Sequence, residues 1–181
     1  MIRIFLDRLY LFAGYAAGAF LVAIFVLMMF LSAGRPVGFN IPAGDDLVSW
    51  CMVATSFLGL AHTFRHGEMI RVGLLIDRLE GRTRHFIEIA SLLIGGFFVA
   101  FFFYYAAQMT IYSWRFNDMA QGVLAVPLWI PQLGYSGGLG ILLIAFIDEL
   151  IHVLRGNPPR YEKPKPQTAE EAVEQAIQSA V

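Results

Sequence analysis

Residues 9–34, LYLFAGYAAGAFLVAIFVLMMFLSAG, make a run of 26 positions without a formal charge, bounded by Arg8 and Arg35. A helix needs about 20 apolar residues to cross a hydrocarbon core roughly 30 Å thick. Three more such runs follow: 18 residues between Asp46 and Arg65, 26 between Glu88 and Arg115, and 29 between Asp118 and Asp148. Lipid offers peptide groups no hydrogen-bond partner, so a crossing segment must close its own backbone bonds, as a helix does. With 57% hydrophobic residues in 181, four buried core helices of a soluble protein are the weaker reading. The expected fold is an all-α integral membrane protein with four transmembrane helices, at about 9–33, 47–64, 86–112 and 127–154. The second run is the shortest and contains His62.

The basic residues give an orientation. Arg3 and Arg8 precede span one. Arg65, Arg71, Arg78, Arg82 and Arg84 lie between spans two and three, and Arg155, Arg160, Lys163 and Lys165 follow span four. The opposite loops hold only Arg35 and Arg115. Basic residues are retained in the cytoplasm, so both termini and the middle loop are expected there. A cleaved signal peptide would have an apolar region of only about 7–15 residues. The first run is much longer and reads as a retained anchor. The net charge of −1 is uninformative because the charges are segregated by side. A single cysteine, Cys51, excludes an intramolecular disulfide and argues against a cysteine metal cluster.

Two segments outside the spans carry a pattern. On a helical wheel Val72, Leu75, Ile76 and Leu79 share one arc, and Arg71, Arg78 and Arg82 form a stripe beside it. An apolar arc edged by arginines suits a short amphipathic helix lying in the membrane interface, at about 68–83, with the guanidinium groups reaching the phosphates. Residues 1–155 then form the transmembrane domain. Residues 156–181 make a cytoplasmic linker and tail, stiffened by Pro158, Pro159, Pro164 and Pro166. Thr168 and Glu171 there resemble a capping box.

Within the spans, Gly14 and Gly18, Gly134 and Gly138, and Ser91 and Gly95 repeat a four-residue spacing that permits close helix packing in lipid. Trp50, Trp114 and Trp129, with Pro127, fall near the outer ends, where aromatic belts place tryptophan. Phe97, Phe98, Phe101, Phe102 and Phe103 suit lipid or a partner helix better than a cofactor. The four runs hold no Asp, Glu, Lys or Arg. Ion-coupled transport normally places ionisable groups or unwound segments near the midplane. No phosphate-binding loop, paired intramembrane carboxylates or nucleophile motif is present. These residues describe a non-enzymatic scaffold that needs a partner.

Three features resemble the small membrane subunit, the DctQ type, of the tripartite ATP-independent periplasmic (TRAP) transporters. One is the size and the four-span topology. Another is the stretch Ala61-His62-Thr63-Phe64-Arg65-His66-Gly67-Glu68-Met69-Ile70-Arg71-Val72, followed by Leu74, Leu75 and Leu79. The third is Pro127-Leu128-Trp129-Ile130 with Gly134, Gly137, Gly138 and Gly140 behind it. The stretch departs from the family pattern at Met69 and Gly73, where many members have His and Asp. The resemblance implies a bacterial inner-membrane subunit without catalytic residues, cofactor or metal, and no nucleic-acid partner. Its implied partners are membrane lipids, a large multi-span elevator-type permease subunit and, transiently, a periplasmic substrate-binding protein. Together they would take up an organic acid anion on a sodium gradient. Arg115 and Asp118, on the outer loop, are then candidates for contact with the binding protein. A reading from another class rests on His62 and His152, with His66 and His85 nearby: two imidazoles on different helices can ligate a haem, as in a haem- or quinone-binding anchor of a respiratory enzyme.

Overall fold

The computed structural model describes residues 2–34, 36, 38, 42–66, 81–122 and 124–157. Four helices account for nearly all of them: α1 Ile2–Gly34, α2 Gly44–His66, α3 Gly81–Arg115 and α4 Trp129–Leu154. Each is long and apolar enough to cross a membrane. The all-α, four-span architecture read from the charge-free runs is therefore the observed one. No strand occurs among the described residues, only an isolated antiparallel bridge between Met119 and Pro127.

The first three helices are longer than their expected spans, because polar residues extend a helix past the hydrocarbon. Asp45 and Asp46 occupy the first turn of α2, where carboxylates face the positive end of the helix dipole. Arg84 and Glu88 pair at 3.2 Å one turn apart in α3. Span three was expected to begin at 86, yet Gly81, Arg82 and Thr83 already form the start of α3. The last three residues of the segment expected as an interfacial helix, 81–83, thus belong to α3. The segment's other residues, including Arg71, Val72, Leu75, Ile76, Arg78 and Leu79, lie outside the described residues, as does the tail helix after 168. In α4 the helix starts two residues later than expected. Pro127 is held in the bridge to Met119, and Leu128 is the N-cap. Gly156, at φ 80°, ends the element with its N–H on the Val153 carbonyl.

The helices pack in the order α1, α2, α4, α3, so that α1 and α3 lie on opposite flanks. Several hydroxyls within the spans turn back on their own helix, while that of Thr55 is buried without a partner among the described residues. Ser56 donates to the Met52 carbonyl, Thr63 to Gly59, Thr110 to Ala106 and Ser136 to Gln132, at 2.9–3.0 Å. Gln108 donates to the Tyr104 hydroxyl at 2.7 Å. Such local closure is what a medium without water demands.

Candidate functional site

Two features of the bundle are built rather than merely solvated: a small-residue seam between its central helices and a charged cluster at the end where α1 begins and α4 ends. In the seam α4 lays Gly134 on Ala54 of α2. A Cβ added at Gly134 would stand 2.8 Å from the Ala54 Cβ, and one at Gly138 would stand 2.5 Å from the carbonyl carbon of Phe57. Backbone meets backbone here. Without a hydrophobic drive in lipid, close van der Waals contact is the term that favours association. Phe57 and Tyr135 close the seam edge to face, with ring centroids 4.7 Å apart.

The neighbouring seams follow the same rule with larger partners. Gly95 of α3 receives the Phe146 ring, which also stacks on Phe64 at 4.3 Å. Phe103 rests on Gly140. On the other flank the His62 ring covers Gly14, with Nδ1 3.4 Å from the Tyr10 carbonyl oxygen. Gly18 and Gly137 meet nothing within 4 Å. Ser91 is exposed, as are Phe97, Phe98, Phe101 and Phe102. Gly134 and Gly138 thus act together on α2, whereas of Gly14 and Gly18 only Gly14 is covered.

The charged cluster draws on three helices. Arg65, near the end of α2, reaches Asp7 of α1 at 3.0 Å and Asp148 and Glu149 of α4 at 3.6 and 3.8 Å. Its guanidinium also lies 5.9 Å from the centre of the Tyr10 ring, within range of a cation–π contact. Glu149 is 3% exposed and Tyr10 1%. Three carboxylates converge on one guanidinium, whose planar fork can serve several oxygens at once. From the sequence Arg65 reads as one of five arginines between spans two and three. The available signal was that Asp7, Arg65 and Asp148 each stand at the boundary of a run, and hence at one depth.

The opposite end carries the tryptophans. Ala54 faces Gly134, so Trp50, four residues before Ala54, is level with Ile130. Phe103 faces Gly140, so Trp114, eleven residues onward, is level with Trp129, eleven residues back. All three tryptophans therefore stand at one height, with the exposed Arg115 and Asp118 following Trp114 at the same end. Pro127 and Trp129 are half-buried. Among the described residues no three His, Cys, Asp or Glu side chains are placed to hold a metal ion.

No curated protein matches the chain well enough to count as a relative. The family described as "Tripartite ATP-independent periplasmic transporters, DctQ component" matches residues 24–156, which include the seam, Arg65, the tryptophan level and the Asp148–Glu149 pair. That match lends no support to the haem or quinone reading of His62 and His152. The chain, a four-helix membrane protein, belongs to the DctQ component family of the tripartite ATP-independent periplasmic transporters.

Proposed function

We propose that this chain is the small, non-catalytic permease subunit of such a transporter. It enlarges the fixed scaffold against which a large, elevator-type subunit moves during sodium-driven uptake of an organic acid anion delivered by a periplasmic binding protein. The supporting observation is where the charge sits. Among the described residues, every Asp, Glu, Lys and Arg lies outside the four apolar runs, and the interior between them is closed by glycine seams and aromatic rings. A substrate pathway needs polar groups or unwound backbone at mid-depth. A support needs rigid packing and apolar outer faces, which α1 and α3 supply.

The basic residues favour an inner-membrane placement with both termini in the cytoplasm. The Arg71, Arg78 and Arg82 stripe would then anchor to lipid on that side, and Arg115 and Asp118 would face the periplasm, where the binding protein docks. The test is co-purification followed by reconstitution. Tagged chain drawn from its native membrane should bring down a large multi-span protein. Liposomes holding both subunits and the binding protein should take up an organic acid anion when sodium is higher outside. Purification of the chain with soluble redox subunits and a haem absorbance band, or uptake unchanged when this subunit is omitted, overturns the proposal.

A further inference from the structure

The described residues of the loop joining α3 to α4 carry three exposed large apolar side chains close to the plane of the tryptophans. Phe116 is 72% exposed, Met119 44% and Leu124 41%. An aqueous loop rarely displays three large apolar side chains together. Part of its backbone is closed internally. Phe116 donates to the Tyr112 carbonyl, Asp118 to Ser113, Ala120 to Val126, Val126 to Leu124 and Leu128 to Asp118, all at 2.9–3.0 Å. Asn117 takes the left-handed conformation, at φ 51°, that turns the chain after α3.

Depth follows from the helices. The charge-free part of α4, residues 129–147, spans 19 residues or about 28 Å, close to the roughly 30 Å hydrocarbon core. With Asp148 at one boundary, Trp129 marks the other, level with Trp114 and Trp50. The loop does not rise far from that level. A Cβ on Gly122, near its tip, would collide with the carboxylate of Asp46, in the first turn of α2. Asp46 stands four residues before Trp50, only about 6 Å further along the helix axis. The headgroup region on each side of the core is about as thick.

We propose that residues 116–122 and 124–128, between α3 and α4, lie flat in the lipid headgroup layer, with Phe116, Met119 and Leu124 inserted among the upper acyl chains. The partner of this surface is the bilayer itself, continuous with the tryptophan belt around it. The inference requires only that the chain spans a membrane, not that it serves a transporter.

The test uses the full-length chain carrying Cys51→Ser, with single nitroxide labels on Phe116→Cys, Met119→Cys or Leu124→Cys, in phosphatidylcholine–phosphatidylglycerol liposomes. Collision with oxygen, which concentrates in lipid, should exceed collision with a water-soluble nickel chelate at all three sites. Adding a large subunit and binding protein should leave that ratio unchanged. A nickel rate above the oxygen rate places the loop in water and overturns the proposal. Loss of both collision rates on adding binding protein overturns it in favour of a protein-docking loop. Three independent sites keep the measurement decisive if one variant fails to fold.

Discussion

The α2–α4 seam and the Arg65 cluster hold the same helices by opposite physics. The seam has no ionisable group and gains from contact alone, with glycine at 134 and 138 allowing the backbones of the two helices to meet. The cluster gathers one cation and three carboxylates from α1, α2 and α4. It sits where the apolar runs end, so water and headgroups lower the cost of holding charge there. The seam also fixes only one helix pair, whereas Arg65 spans three. Packing therefore supplies the rigid middle of the bundle, and the ion pairs set how its helices line up at one end.

The strongest way to break this comparison is at the seam. Gly138→Leu would drive a branched side chain into the Phe57 backbone, which has no rotamer to yield. Overpacking costs about 1–3 kcal/mol and sometimes more, and this site falls at the upper end. The expected outcome is a large fall in thermal stability in detergent, while Gly137→Leu, facing open space, leaves it nearly unchanged. Equal losses at both positions would remove the seam from the account.

Next in size is Arg65→Ala. Removing one partner of a buried ion pair costs about 3–5 kcal/mol. Arg65 and Asp148 are each about one-fifth exposed, so solvent reduces this to about 2 kcal/mol. If the cluster works as a three-helix tie, Arg65→Lys restores only part of the loss, because an ammonium lacks the planar fork. Full rescue by Lys would make the interaction a simple point charge.

A smaller effect is expected from Arg84→Ala, which leaves Glu88, 7% exposed, without its helical neighbour. Exposed pairs of this spacing contribute about 0.3–0.5 kcal/mol. Burial of the carboxylate raises the expected loss to about 1 kcal/mol. The smallest effect belongs to Gly18→Ala, within about 0.5 kcal/mol of neutral, against a clear loss for Gly14→Ala, where the new methyl meets the His62 ring. Thermal unfolding of the two variants side by side separates an open glycine from a packed one.

The small-residue spacing shows how far sequence pattern reaches. Gly14 and Gly18 read as a pair, yet only Gly14 is covered; Gly134 and Gly138 both meet α2. Spacing shows that a close approach is possible on one face. It does not name the partner, because in lipid every face of these helices is apolar and the pattern has no polar side to orient it. The tryptophans were legible for a different reason. An amphipathic ring has one favourable depth, so Trp50, Trp114 and Trp129 could be assigned to an end of the bundle from distance along each run.

The sequence by itself determined the number of crossings, their approximate limits and the absence of charge within the runs, since hydrocarbon thickness and the cost of burying charge act on one segment at a time. Only the tertiary structure decided that the helices run α1, α2, α4, α3, that Arg65 gathers Asp7, Asp148 and Glu149, and that the α3–α4 loop folds back toward Asp46. Each of these depends on which surfaces meet across distant parts of the chain. Such choices are made by shape and by the pairing of a few charges, and hydropathy records neither.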